Sequence, residues 1–441
     1  MSGTINRRIL PLYVVVFVGF LGYSLMIATF TPMMLRNDNG MLPATSSVTQ
    51  RSLVLGVLLA LYPLGQFLGS PVLGALSDRF GRRPILVASL STTTILYVGI
   101  ATALEVQNLP LLMLFCFLAG LSESNIVLAQ SAIADTAPRA DRSRLFGYIY
   151  LSASLAYVVG PLGGGQLADH SLLSWFTYAT PYWTVTVLLA GTSIAVIAWF
   201  RETHQGSGEK GRYLESFTNL ALVVTDRRLR PLYLINFVLY LAIFGFFRVY
   251  PMYLVDEFHM GVGMVSEYVA FVAVPIVIAN LWLVGALSRH ARPRTMVLYS
   301  ALAMGLLMAI IVVPKSTAAL WFTLGATALA LAICLPSCAA MLSLAAEDEG
   351  QGRAMGNNQS MQVGAESLSG LVGGALAAIL ITLPLLVFAG VAVAGSLLVA
   401  NMARRGTSAP AVPVPGGDRG PGTDIVRSGM IRILRGREKR P

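Results

Sequence analysis

The chain carries little charge. Only 12% of its 441 residues are Asp, Glu, Lys or Arg, about half of what a water-soluble domain carries. Hydrophobic residues make up 55%, and the mean hydropathy is +0.69. A soluble globular protein is excluded. Histidine is also scarce: His170, His204, His259 and His290 all read as loop residues, so no His-rich metal pattern arises. Three cysteines, Cys116, Cys334 and Cys338, lie within apolar runs and read as small buried hydrophobes. Cys334 and Cys338 share a helix face, but no His or carboxylate is near enough in sequence to complete a metal or redox site. No Gly-x4-Gly-Lys-[Ser/Thr] loop is present, which argues against ATP drive. No nucleophile elbow and no intramembrane His-Asp pair is found, so an enzyme is not expected, and neither is a cofactor or metal.

What the chain has is long apolar runs. A membrane-spanning helix needs about 20 apolar residues, and only helices satisfy the backbone at that length in lipid. The pattern predicts an all-α membrane protein with twelve spans, near 9–33, 52–75, 84–104, 109–132, 145–168, 181–200, 231–254, 263–287, 294–313, 317–341, 354–380 and 384–402. The segment MSGTINRR leads into the first run without a small-residue cleavage signal, so an uncleaved first helix is expected. The formal net charge of +10 does not indicate nucleic acid, because the basic residues lie between spans and in the tail. With both termini in the cytoplasm, only Arg36, Arg51 and Lys315 fall outside, and Arg248 alone lies within a span. That asymmetry is the positive-inside pattern and predicts a multi-pass protein of a bacterial-type inner membrane.

A polar stretch at 201–230 divides the spans into a first half, 1–200, and a second, 231–403. The halves echo each other at an offset near 210. Gly74-Ala75-Leu76-Ser77 returns as Gly285-Ala286-Leu287-Ser288, and Arg144-x-x-Gly147 as Arg353-x-x-Gly356. Gly160-x-x-Gly163-Gly164 returns as Gly370-x-x-Gly373-Gly374. Three matches in order argue for duplication. The tail 404–441 begins rich in Pro and Gly and reads as disordered. Its stretch 425–435 is either a basic amphipathic helix on the inner leaflet or a solvated basic segment.

One short stretch stands out between spans two and three: Gly74-Ala75-Leu76-Ser77-Asp78-Arg79-Phe80-Gly81-Arg82-Arg83-Pro84. Gly74 and Gly81 permit close approach or positive φ, and Pro84 suits the first turn of a helix. Asp78 can sit at a helix N-terminus, and the arginines can bridge carboxylates on neighbouring loops. The stretch resembles the loop signature of the major facilitator superfamily, Gly-x-Leu-x-Asp-Arg-x-Gly-Arg-Arg. Span five adds Gly147, Ala156, Gly160-Pro161 and Gly164-Gly165, where Pro161 removes a helix bond and the glycines admit a neighbouring helix. That spacing resembles the span-five signature of the family's drug:proton antiporters, with Ala156 where the pattern has Gly. Ala134-Asp135-Thr136 and the following Asp141-Arg142-Ser143-Arg144-Leu145-Phe146-Gly147 resemble the corresponding loop of tetracycline-type effluxers.

The resemblance implies two six-helix halves with a substrate site near the midplane between them. It also implies a cytoplasmic latch: Asp135 pairing with an arginine among Arg79, Arg82 and Arg83, and Asp78 facing the start of span eleven near Arg353. Exposed pairs of this kind contribute about 0.2–1 kcal/mol each. Two family positions are altered. Cys116 stands where span four of the antiporters carries an arginine, and Gly19 where span one often carries Asp.

Other ionisable groups are candidates for that work. Charges in hydrocarbon are costly and mark functional positions by default, and burial lets a carboxyl take up and release a proton near neutrality. Glu123 in span four and Glu366 in span eleven are the proton-coupling candidates. Each also has a structural reading: for Glu123 a hydrogen bond to a neighbouring helix, and for Glu366 a place on the packed, glycine-rich face of a span at the cavity flank. Arg248 is a substrate-binding candidate or snorkels toward Asp256 or Glu257. Asn125, Gln66, Asn236, Tyr240 and Asn280 are midspan polar groups that can hydrogen-bond a substrate. Tyr23, Phe30 and Phe246–Phe247 supply apolar walls or simply pack. The expected function is a proton-coupled exporter of a small organic or amphiphilic compound, acting as a monomer in the bilayer. The alternative is a proton symporter taking up a nutrient or a metal chelate such as a siderophore. A non-transporting sensor with the same fold is disfavoured by the intramembrane carboxylates.

Overall fold

The computed structural model describes residues 2–37, 39–123, 125–136, 139–203, 226, 228–346 and 351–404. Most of the 201–230 linker and nearly all of the 404–441 tail lie outside the described residues. Every regular element among those described is a helix.

The first half holds α1 (Ser2–Arg36), α2 (Val48–Phe80), α3 (Arg82–Glu105), α4 (Leu109–Ser122), α5 (Asn125–Thr136), α6 (Arg139–Leu167) and α7 (Thr180–Trp199). The second holds α8 (Arg230–Phe258), α9 (Val262–Ile278), a π turn (Ala279–Leu283) and α10 (Val284–Ser288). It continues with α11 (Pro293–Ile311), α12 (Thr317–Ala345), α13 (Gln351–Ala377) and α14 (Leu383–Arg404). The pair α4–α5 forms one span interrupted at Glu123, and α9, the π turn and α10 form another, so the elements make twelve spans. Ten are long and apolar enough to cross a membrane by length and composition. The other two, α6 and α13, have 29 and 27 residues but carry many Gly and polar positions.

The connection between α2 and α3 is tighter than expected. α2 runs on through Phe80, and Gly81 alone turns the chain, with φ +98. Its N–H still bonds Ser77 O at 3.0 Å, so the helical ladder lasts until the one residue that glycine geometry permits. Gly74 sits inside α2 with open space where a Cβ would stand, and not at a turn. At the other end of α2, Ser47 and Gln50 form a reciprocal capping box, with bonds of 3.2 and 3.0 Å.

Within the first half α1 packs on α6 and α7, and α3 on α4 and α7. In the second, α8 packs on α13 and α14, and α11 on α12 and α14. The halves meet mainly through α2 on α13 and α6 on α9. Small residues set these seams. A Cβ on Gly56 would stand 2.7 Å from Gly374 Cα, so helices α2 and α13 touch at backbone distance. Gly165 of α6 sits against Ser266 of α9, while Gly160 and Gly164 seat α6 on Leu21, Ser24 and Leu25 of α1. Pro161 lies inside α6. Gly147 also lies on α6, but its surroundings are outside the described residues.

Candidate functional site

Glu123 owes its position to close packing of α2 on α4. Gly65 and Gly69 on α2 lie against the backbone of Phe117 and Leu121, and Gly120 on α4 lies against Tyr62 O. No larger residue fits at these three places. α4 then ends: Glu123 is its C-cap, in extended conformation, its N–H bonding Gly120 O at 3.1 Å. The break turns the Glu123 side chain toward α2. There the Tyr62 hydroxyl donates to Oε2, and Gln66 Nε2 lies 3.5 Å from the same oxygen. Glu123 is 4% exposed.

Glu366 sits on α13, also buried. Arg248 Nη2, from α8, lies 3.1 Å from Glu366 Oε1. The Tyr23 hydroxyl, from α1, donates to that carboxylate and accepts from Arg248. The guanidinium carbon lies 5.4 Å from the centroid of the Tyr23 ring. Arg248 is 2% exposed, and its Nε has no hydrogen-bond partner among the described residues. The Tyr23 and Tyr62 rings stack, centroids 5.0 Å apart and planes 25° apart. Such a pair contributes about 0.5–1.5 kcal/mol beyond its buried area. Tyr157 of α6 meets Tyr23 edge-on at 6.5 Å. Two carboxyls from opposite halves are thus joined through two stacked phenols, with one arginine beside them.

Glu123, Glu366, Arg248 and Gln66 therefore come together, but Arg248 pairs with Glu366 and does not snorkel toward Asp256 or Glu257. Asn236 and Tyr240 form a separate buried cluster. Asn236 Nδ2 donates to Asn358 Oδ1 at 2.9 Å and to Cys338 O at 3.1 Å, and Asn358 Nδ2 donates to Tyr240 OH at 2.8 Å. This ties α8, α12 and α13 to one another. Asn280 lies exposed on the π turn. Asn125 begins α5, and its side chain is outside the described residues.

At the α2–α3 turn, Arg82 bridges Asp78 at 2.5 Å and Asp135 at 2.9 Å, and donates to Ser77 Oγ at 2.5 Å. The pairing of Asp135 with this stretch is as the resemblance implies. Asp78 is held by Arg82 four residues on. Arg353 lies on α13, its side chain outside the described residues. Arg83 Nη2 donates to Ile197 O at 2.7 Å, and Arg79 lies over the Phe80 ring, its guanidinium carbon 4.8 Å from the centroid. Glu202 accepts from the N–H groups of Arg82 and Arg83 at 2.9 and 3.1 Å, capping α3 where the helix dipole favours an anion. Among the described residues, the side-chain contacts of Arg82 and Arg83 lie within the first half, and their backbone N–H groups reach Glu202 at the start of the linker.

Sequence reasoning missed Tyr62, Asn358 and Glu202. A tyrosine or asparagine in an apolar span carries no sign of its direction. The spacing Gly65-x3-Gly69 was the available hint that this face of α2 meets another backbone.

The fold agrees with a comparison of sequence families. The sequence model described as Major Facilitator Superfamily matches residues 12–327 and 232–438. The chain belongs to the major facilitator superfamily. It is thus one of a family of transporters and not an enzyme. Among relatives, it is 37% identical over 151 residues to tetracycline resistance protein, class B, of Escherichia coli, covering 34% of this chain and 35% of that protein. It is 30% identical over 253 residues to the class G protein of Vibrio anguillarum, covering 57% of this chain and 62% of that one. The matches therefore span a third to under two thirds of these relatives. A crystal structure of a D-xylose-proton symporter superposes with a TM-score of 0.70, covering 89% of this chain and 97% of the other at 16% identity. At that identity the likeness speaks for the fold alone.

Proposed function

We propose that the protein is a proton-coupled exporter of a small organic or amphiphilic compound, working by alternating access as a monomer in a bacterial-type inner membrane. The observation that carries this reading is the pair of buried carboxyls, Glu123 and Glu366, at the seam between the halves. Ionisable groups there are costly unless they work. The match to tetracycline resistance proteins supports export of a drug-like compound over import.

Protonation of Glu123, with Glu366 as the second proton-carrying group, alternates with substrate binding while the halves rock about the site. Coupling requires that proton and substrate favour opposite states or exclude each other. Both termini are assigned to the cytoplasm. The contacts of Thr49 with Ala378 at 3.1 Å, of Gly56 with Gly374 and of Gly165 with Ser266 then lie toward the outside. In that orientation the outer gate is shut. The 74–83 stretch with Asp135 braces the first half at its inner end as that half moves.

The test is proton movement in acid-loaded inside-out vesicles, screened with a compound panel, for wild type and Glu123→Gln. Export coupled through Glu123 predicts compound-driven proton release that the variant loses. Proton movement only in right-side-out vesicles, inward together with the compound, would overturn the exporter reading.

A further inference from the structure

The two carboxyls lie on opposite sides of the seam, and two stacked tyrosines link them by hydroxyl hydrogen bonds, with Tyr157 facing both. Tyr23 belongs to α1 in the first half, yet its hydroxyl is bonded to Glu366 and Arg248, both in the second. That hydroxyl is thus a bond between the halves. Tyr62 stacks on the Tyr23 ring while its own hydroxyl is bonded to Glu123. Both side chains are buried, Tyr62 at 2% exposure and Tyr23 at 3%. In a close-packed interior neither ring can tilt without displacing the other.

We propose that Tyr62 and Tyr23 are the positioning pair that carries the charge state of Glu123 to the seam between the halves. The inference rests on the proton-coupled reading above. With Glu123 ionised, the Tyr62 hydroxyl makes a charge-assisted bond, roughly twice as strong as a bond to a neutral acceptor. That bond holds the Tyr62 ring, the ring holds Tyr23, and Tyr23 holds the Glu366–Arg248 pair against the first half. Protonation of Glu123 weakens the first bond and frees the stack, and the seam loses its central hydrogen bond. The closed state then releases the proton and the opened state takes it up.

The groups facing Glu123 come from several helices. Tyr62 approaches from α2, Tyr157 from α6 and Tyr23 from α1; beyond them lie Arg248 on α8 and Glu366 on α13. From α3, Ser89 and Thr93 bond the neighbouring Ser122, and Tyr97 lies deeper among Tyr182, Cys116 and Tyr23. Glu123 and Glu366 are the carboxyls of this set.

The experiment reads the seam itself. Cysteines replace Thr49 and Ala378, whose Oγ1 and O lie 3.1 Å apart across the halves. The three native cysteines are buried. Disulfide formation between the introduced pair, with copper phenanthroline as oxidant, is followed from pH 5.5 to pH 8 in wild type, Tyr62→Phe, Tyr23→Phe, Glu123→Gln and the Tyr62→Phe/Glu123→Gln double variant. Each rate is divided by that of an unconstrained exposed cysteine pair at the same pH, which removes the thiolate titration. The proposal expects this normalised rate to rise about tenfold with pH in the otherwise wild-type protein, the scale of one charge-assisted bond. Tyr62→Phe and Glu123→Gln should each flatten that dependence, and the double variant should add nothing. A wild-type pH dependence in Tyr62→Phe overturns the proposal. If Tyr62→Phe fails to reach the membrane, Tyr23→Phe carries the same test. A flat profile in wild type that still moves protons with compound overturns the inference alone. A flat profile together with no compound-driven proton movement overturns the proton-coupled reading as well.

Discussion

Gly56 on α2 and Gly374 on α13 meet where the halves cross, and a Cβ on Gly56 would stand 2.7 Å from Gly374 Cα. Nothing but backbone lies at this contact, so a larger residue cannot be accommodated by a rotamer change. Gly56→Val therefore disfavours the packed state by about 1–3 kcal/mol. That corresponds to roughly a 5–150-fold shift between the two conformations. The check is the reactivity of a cysteine at Ser52, buried one turn before Gly56 at the same contact, with a membrane-impermeant thiol reagent, which should rise in the Gly56→Val background. Unchanged reactivity would mean that the α2–α13 contact does not move in the cycle.

The Arg248–Glu366 pair is enclosed, with Arg248 2% exposed. Removing one partner leaves a buried charge without its counter-charge and costs about 3–5 kcal/mol, whereas replacing both with apolar residues is often neutral or stabilising. Glu366→Leu should lower the melting temperature in detergent markedly, and Arg248→Met with Glu366→Leu should recover most of the loss. Transport should be absent from both. Equal melting temperatures for the single variant and wild type would show that the pair is not closed off from water.

Gly74 and Gly81 belong to the same sequence signature but answer to different physics. Gly81 holds φ +98 between two helices, a conformation L-residues rarely adopt. Gly74 is inside α2 with empty space beside it. Gly81→Ala should cost about 1–3 kcal/mol as backbone strain. Gly74→Ala should stabilise by up to about 1 kcal/mol through helix propensity. Thermal unfolding of both variants checks the contrast, and a similar loss for each would contradict it.

Much of the architecture was legible because lipid leaves few options. Long uncharged runs between Arg-bearing loops specify spans, and the echoes of Gly74, Gly160 and Arg144 at a constant offset specify two related halves. Glu123, Glu366 and Arg248 stood out because charge is rare in such runs. Their grouping did not, because a helix that is apolar all round shows no preferred face. Tyr62 went unnoticed for the same reason, and Asn236 and Tyr240, read as substrate groups, are engaged with Asn358 and Cys338 O. The break after α4 at Glu123 was likewise hidden, since Ser122, Glu123 and Asn125 lie in a run without Pro or a turn motif.

Arg82 engages two carboxylates and one hydroxyl at once: Asp78 at 2.5 Å, Asp135 at 2.9 Å and Ser77 Oγ at 2.5 Å. A guanidinium reaches them because its donors form a rigid fork, while an ammonium is a single point on a flexible stem. Arg82→Lys keeps the charge but cannot serve Asp135 through Nε and Asp78 through Nη1 together. It should behave much like Arg82→Ala in transport assays and lower the melting temperature by a similar amount. Asp135→Asn should show a comparable loss, and the Arg82→Lys/Asp135→Asn double variant should fall short of the sum, because groups in one network do not add. Wild-type transport by Arg82→Lys would show that charge alone, and not the bridge from α3 to the end of α5, is what this corner of the protein supplies.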